Sequence, residues 1–563
     1  MSTSKEFQAI VIGAGMSGSW VAKELCDKGI KTLLLDRGPN VKHLQDYPTG
    51  STYPWDFAHR GSVDHEDKEA NPIVNKCYAY KEGATHFFVK DDVQPYVQEK
   101  PFDWIKGYQV GGKSLMWARQ TQRWSQYDFN GPDQEDFAVS WPISYEDLAP
   151  WYSHVEKFVG ISGNKDGLDT LPDGEFLPAL ELTVVEKHVQ KVVKDNYSDR
   201  HVIYGRCAHI TEPQEIHKQQ GRAKCQHRTI CERGCPFGGY FSANSSTIPW
   251  AERTGNLTLR PDSVVHSIIY DEESKLAKGV RVIDANTKEV HEFNADVIFL
   301  NAGAINSNAI LLNSKSDRFP NGLGNDSGLL GKYFAFHNYR ARMSATCNDF
   351  LDKVVEGKSP TNAYMPRFVN IREQDQDFKR GYGVAIFASR YRKTEETSFG
   401  ADLIKDLMVD KAFGPWQVGA MMMGETIPKE SNYLSLDADK VDQYGIPLVN
   451  FSVDYDENDT KMMEHFYTTF EEVFEKAGFE DVNRIDTGQA PGLDIHEMGG
   501  VRMGKDPTTS LLNGNNQLHL CDNVYVSDGA CMTSTSTQNP SLTYMAFAAR
   551  AANHYVDSIE EES

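Results

Sequence analysis

Apolar positions follow two rhythms along this chain. Residues 7–13 form a short apolar run, residues 16–28 place apolar side chains at helical spacing, and residues 31–36 form a second apolar run that closes on Asp36. Strand, helix and strand follow from that pattern, because a strand buried on both faces reads as an unbroken apolar run. Residues 296–304 and 523–530 repeat the form of a strand running into a glycine turn. The pattern therefore predicts an open α/β sheet assembled from distant parts of the chain. Between these segments, residues 333–488 alternate short β-rich runs (340–345, 382–387 and 433–436) with a helical stretch over 457–476. That predicts a second domain, α+β in character, inserted into the first. Residues 51–100 turn polar and aromatic without a period and read as a long excursion over the surface or over a cofactor. No internal repeat is visible, and no apolar run reaches the roughly 18 residues a membrane span requires.

A chain of 563 residues has room for about two to four domains. Acidic residues number 80 against 58 basic ones, a net charge of −22. That charge repels phosphate backbones and anionic headgroups, so nucleic acid is not an expected partner. The stretch from Met1 to Phe7 carries no charged region followed by an apolar core and a small-residue cleavage site. The chain by itself is therefore expected to remain in the cytosol. Nine cysteines spread over this length do not make a disulfide scaffold the default.

Candidate chemistry begins at the first turn. Gly13-Ala-Gly15-Met-Ser-Gly18 follows the first strand and opens the helix. In such a fingerprint the first glycine makes the tight turn, the second lets backbone approach a pyrophosphate, and the third allows helix and strand to pack closely. The helix N-terminus offers free N–H groups and a positive dipole end to the anion. Asp36, closing the second strand, stands where a carboxylate accepts hydrogen bonds from an adenosine ribose. Strand, helix and acid together make a dinucleotide site, and do not distinguish FAD from NAD.

Further motifs lie downstream: Tyr108-Gln-Val-Gly111-Gly112-Lys-Ser114-Leu-Met-Trp117, Trp141-Pro-Ile-Ser, Gly328-Leu-Leu-Gly, His496-Glu-Met-Gly-Gly, Ser527-Asp528-Gly529-Ala and Asn539-Pro-Ser541-Leu542. In order and spacing the chain resembles the glucose-methanol-choline family of FAD oxidoreductases, from about residue 6 to residue 557. The resemblance implies a Rossmann-like FAD-binding domain comprising residues 1–50, 101–135, 222–332 and 489–563. It leaves 136–221 and 333–488 for a substrate domain on an antiparallel sheet with helices. It also implies that Gly111, Gly112, Ser114 and Trp117 lie along the flavin, that the Val265 backbone touches the adenine, and that Asp528 and Gly529 sit by the pyrophosphate and ribityl chain. Arg37, Ser541 and Leu542 complete the implied cofactor set. No histidine occupies the loop from Gly111 to Trp117, so FAD is expected to be bound non-covalently.

The resemblance gives His496 the position of the family's active-site histidine, and Asn539 the position filled by His or Asn in its members. The chemistry suits them. Oxidising an alcohol removes a hydroxyl proton and passes a hydride from the carbinol carbon to the flavin, so a base must stand beside the substrate oxygen. A histidine accepts a proton near neutral pH, while an amide holds the oxygen without taking the proton. His337 is a candidate for a second approach to the flavin or for an ordinary structural role, and His519 is read as structural.

Cys225, Cys231 and Cys235 fall within eleven residues, and a proline follows the last. Dense thiolate spacing ending in Cys-Pro is a form used by iron-sulfur sites. A zinc site would have to recruit His227 or Cys207 as a fourth ligand, and a disulfide would leave one thiol over. The spacing also resembles the large subunits of bacterial FAD-dependent glucose dehydrogenases and glucoside 3-dehydrogenases. That resemblance implies a [3Fe-4S] cluster on these cysteines, with Cys207 open as a fourth ligand. Cys26, Cys77, Cys347, Cys521 and Cys531 are read as buried small hydrophobes.

The expectation is thus a sugar or glycoside dehydrogenase that delivers electrons to an external carrier such as a cytochrome. The resemblance adds a small partner subunit carrying an export signal, which would place this chain in the periplasm. Competing readings are an oxygen-using sugar or alcohol oxidase with structural cysteines and a non-catalytic FAD electron-transfer subunit.

Overall fold

The computed structural model describes residues 6–354, 361–392, 400–401 and 413–561, so parts of the 333–488 block lie outside the described residues. A six-stranded sheet runs in the order Gln517–Leu518, Cys521–Val526, Val297–Leu300, Ala9–Ile12, Thr32–Leu35 and Leu257–Arg260. All neighbours are parallel except the first pair. Ala9–Ile12 and Thr32–Leu35 are buried at every position, because helices cover one face of the sheet and other chain segments the opposite face. The crossover helix Met16–Asp27 packs against the C-terminal helix Ser541–Glu561. Ala546, Ala548, Ala549, Ala551 and Ala552 are fully buried in that second helix, and their small side chains let the helix lie close to its neighbours.

A second sheet is antiparallel, in the order Glu480–Asp486, Ala341–Cys347, Phe413–Glu425, Tyr382–Arg392, Ala363–Met365 and Ile203–Tyr204, with His337–Asn338 also on Phe413–Glu425. Its faces divide by the two-residue period of a strand. Met343, Ala345, Val384, Ile386, Val418, Ala420 and Met422 point into a core shared with the helices Glu457–Lys476 and Val184–Asn196. The alternate residues Arg342, Ala385, Phe387, Met421 and Met423 line a cavity on the opposite side. Glu457–Lys476 is set by Asp456, whose side chain accepts from the Asn458 and Asp459 N–H groups. Its stripe of Met462, Phe466, Phe470, Val473 and Phe474 is buried, at about 1.5–3 kcal/mol for each large side chain removed from water.

The 51–100 stretch lines part of the large cavity through Lys76, Cys77, Tyr78 and Phe88, and it carries a core of its own. Its short helical turns enclose a small apolar cluster, with Val74, Ala79, Tyr80, Phe87 and Phe88 packed around Ile105, Leu115 and Met116. Aromatic content without a period gave no sign of this, because single turns carry no repeat to read.

Candidate active site

A cavity of about 1020 Å³ lies between the two sheets, at the carboxyl ends of the parallel strands. Its lining includes Gly13, Gly15, Asp36, Arg37, Gly112, Ser114, Trp117, Val265, Asp528, Gly529, Ser541, His496 and Asn539, residues drawn from the whole length of the chain. Three expected members stand behind the lining. Gly18 packs on Gly13, Gly111 lies against the Asn244 side chain, and Leu542 is a fully buried core residue. Leu542 is corrected on this point: facing the helix core, it has no surface to offer a cofactor.

The fingerprint glycines do different things. A Cβ on Gly18 would stand 1.9 Å from the Gly13 carbonyl oxygen, and Gly13 has φ +97° with the Asn301 oxygen 2.4 Å from a built Cβ. Those two glycines serve the fold. A Cβ on Gly15 would meet nothing within 4 Å, since that side opens to the cavity. The space is a cradle that a side chain would fill, as close approach of a pyrophosphate to backbone requires. Gly15→Ala is therefore expected to keep the melting temperature of the cofactor-free protein while weakening FAD binding by about tenfold or more. Gly18→Ala is expected to lower stability by about 1–3 kcal/mol, the ordinary result of overpacking. Thermal melts with and without added FAD separate the two effects.

Asp36 accepts hydrogen bonds from the N–H groups of Gly38 (3.0 Å) and Ala14 (3.0 Å), which fixes it at the end of its strand. Burial nevertheless raises its pKa above the usual carboxylate value. Arg37 stacks 4.2 Å over the Tyr108 ring. Asp528 links the ends of two parallel strands by accepting from the Gly303 N–H (2.8 Å) and the Ser307 hydroxyl (2.6 Å). Burial pushes its pKa up to about 6. Ser114 donates to the Gly111 carbonyl and accepts from the Ala243 N–H, and the Trp117 indole donates to the Phe241 carbonyl (3.0 Å).

Opposite the fingerprint, four groups form a line. His337 Nε2 lies 3.1 and 2.9 Å from the carbonyl oxygens of Thr535 and Ser536. His337 Nδ1 lies 2.8 Å from His496 Nδ1, and His496 Nε2 lies 3.3 Å from the Asn539 amide nitrogen. The proton positions follow from these partners. Two carbonyls can only accept, so His337 Nε2 carries hydrogen. Burial holds the His337 pKa down to about 4, so the ring is neutral and its Nδ1 is bare. His496 Nδ1–H then donates to it, which leaves His496 Nε2 unprotonated at the cavity, accepting from the Asn539 amide N–H. Burial, with His337 and Lys113 nearby, lowers the His496 pKa well below the ordinary histidine value. Asn539 Oδ1 is buried and has no partner among the described residues.

The sequence offered no sign of two supporting groups. Asp494 accepts from the N–H groups of His337 (3.0 Å) and His496 (3.2 Å), and burial raises its pKa to about 7. Tyr339, two residues after His337, comes within 3.5 Å of the Asn539 amide. His519 bonds the Ser510 hydroxyl (3.0 Å), away from the cavity.

All nine cysteines are free thiols. Cys225, Cys231 and Cys235 line one small cavity with His209, and Cys225 and Cys231 also face the large one. Cys207 stands outside that small cavity, buried against the Ser162 hydroxyl at 3.4 Å. Among the described residues, no three His, Cys, Asp or Glu side chains converge on one metal-ion position.

Two family models, both described as GMC oxidoreductase, match residues 7–338 and 428–548. The chain belongs to the GMC oxidoreductase family. As a family member it is an FAD-binding oxidoreductase that acts on CH–OH groups. The chain is 26% identical to the 2-methyl-1,2-propanediol dehydrogenase of Mycolicibacterium austroafricanum, over 98% of this chain and 96% of that protein. It is 23% identical to the fructose dehydrogenase large subunit of Gluconobacter japonicus, over 98% of both. Its fold matches a formate oxidase of Aspergillus oryzae RIB40 with a TM-score of 0.62 at 12% identity, over the full length of both chains. Among the described residues no helix is long and apolar enough to cross a membrane.

Proposed function

We propose that this GMC oxidoreductase is a sugar dehydrogenase, in the class of glucoside 3-dehydrogenases, with His496 as base and Asn539 as positioning amide. The observation that carries the reading is the line of hydrogen bonds from two backbone carbonyls through His337 to a bare His496 Nε2 at the cavity. His496 takes the hydroxyl proton at Nε2, and the Asn539 amide N–H, 3.3 Å from that nitrogen, is placed to donate to the oxygen that loses it. Gly13, Gly15, Asp36, Arg37, Ser114, Trp117, Val265, Asp528 and Gly529 would hold FAD, which when bound supplies the acceptor for the hydride that leaves the carbinol carbon as C–O becomes C=O.

Cys225, Cys231 and Cys235 are assigned to an iron-sulfur cluster, [3Fe-4S] from the count of thiolates. Three features of their surroundings support this. They share one cavity, the buried Arg119 and Arg222 place positive charge beside Cys231 and Cys235, and both ring nitrogens of His209 at that cavity lack partners. Such a cluster, when bound, supplies a one-electron outlet toward an external acceptor such as a cytochrome. Similarity to a protein named as a large subunit supports a partner subunit. With a partner that carries the export signal, the chain would work in the periplasm.

Cys231→Ser tests the assignment. Iron and acid-labile sulfide are expected to be lost while FAD stays bound, sugar still reduces the flavin in a single turnover, and turnover with a cytochrome falls steeply. A variant fully active with cytochrome, together with hydrogen peroxide formed by the natural chain in air, would replace this reading with an oxidase whose cysteines are structural.

A further inference from the structure

Several cations on the wall of the large cavity are paired with carboxylates, and Lys106 and Arg228 are held by backbone carbonyls. Lys113 pairs with Glu497 at 2.9 Å, Arg37 with Asp442 at 4.0 Å, and Arg119 with Glu232 at 3.7 Å. Arg342 is different. It stands on the strand Ala341–Cys347, directly opposite Met421, on the sheet face that lines the cavity. Among the described residues its side chain makes no ion pair or hydrogen bond, and its Nε is buried without a partner. Tyr339 lines the same cavity. Two carboxyl groups on the cavity wall are committed elsewhere, Asp494 to the N–H groups of His337 and His496, and Glu497 to Lys113.

A guanidinium nitrogen withdrawn from water without a partner is costly, and an anion entering the cavity can supply both the partner and the counter-charge. Its planar fork fits the two oxygens of a carboxylate or a phosphate. His496, Asn539, Tyr339 and Arg342 line the same cavity, with the Asn539 amide 3.3 Å from His496 Nε2 and 3.5 Å from the Tyr339 hydroxyl. Phe387, Met421 and Met423 on the same sheet face offer an apolar floor between strands to a sugar ring's C–H groups.

We propose that Arg342 forms an anion subsite and that the substrate is a sugar bearing a carboxylate or phosphate group in addition to the hydroxyl that is oxidised. This rests on the dehydrogenase reading and adds the substrate's charge to it. Holoenzyme is assayed with sets of sugars that share a hydroxyl configuration and differ in charge: a neutral sugar, the corresponding uronic or aldonic acid, and the sugar phosphate. The natural chain is expected to show at least a tenfold lower KM for one anionic class, and that class identifies the anion. Arg342→Met is expected to raise this KM by about 10- to 100-fold with kcat nearly kept, and to leave the neutral sugar unchanged. Arg342→Lys should recover part of the loss, which a merely structural role would not allow.

Equal KM values across the sets, or an Arg342→Met variant that weakens neutral and anionic sugars alike, would overturn the subsite. Binding is read separately by titrating gluconate and glucose 6-phosphate against the oxidised flavin spectrum. If an anion perturbs the spectrum in the natural chain and not in Arg342→Met, while no sugar is oxidised, the subsite stands and the sugar dehydrogenase reading falls.

Discussion

His496→Ala is expected to slow reduction of the bound FAD by substrate about 10²- to 10⁴-fold, the usual contribution of a positioned base. The measurement is single-turnover flavin bleaching by stopped flow. The pH profile of the natural chain carries a second expectation with a definite sign. Protonated His496 cannot act as base, and burial lowers its pKa well below the ordinary value of about 6.5. The base form, and with it the rate, should therefore persist as pH is lowered through 6.5, where an exposed histidine would shut down. The groups facing His496 support this direction. His337 is neutral, Lys113 repels an imidazolium, and Asp494, raised to about 7 by burial, is increasingly protonated below neutrality and offers no counter-charge. A variant lacking His496 that reduces flavin at near-normal rate would remove it from the mechanism.

How far the sequence carries this picture depends on whether each feature is local. The fingerprint, Asp36 and the helix Glu457–Lys476 were readable because glycine spacing, a strand-ending acid and a 3.6-residue period are written within a few turns of chain. The three cysteines of the 225–235 segment were readable as a group for the same reason, and the structure then set Cys207 apart from them. The contact between His337 and His496 was not readable. It joins positions 159 residues apart, and two histidines in unrelated segments carry no mark of meeting. Arg342 was hidden in another way: an arginine in an alternating strand reads as a solvent-facing position until the opposite face proves to be a cavity wall. Leu542 shows the reverse error. Its neighbours Asn539 and Ser541 face the cavity, and the helix beginning at Ser541 turns Leu542 into the core.

The His337 contact has a consequence of its own for the rate. A neutral His496 has two tautomers, and only the one with hydrogen on Nδ1 presents a bare Nε2 to substrate. That tautomer is held because His337 Nδ1 accepts, and His337 can only accept there because its Nε2–H is committed to the Thr535 and Ser536 carbonyls. His337→Leu and His337→Asn have nearly the same shape, and both remove the Nε2–H. They differ in one atom that matters, since Asn retains an acceptor near the Nδ1 position and Leu has none. His337→Leu is expected to lower the flavin-reduction rate by about 10- to 100-fold, the scale on which partners behind a reacting group act, with FAD content and substrate binding little changed. His337→Asn should stay within a few-fold of the natural chain. A structural role alone would make the two variants alike, because both lose the ring and its bonds to the carbonyls. Equal rates for the pair would show that His337 only fills space, and the tautomer of His496 would then have to be held by the Asn539 amide alone.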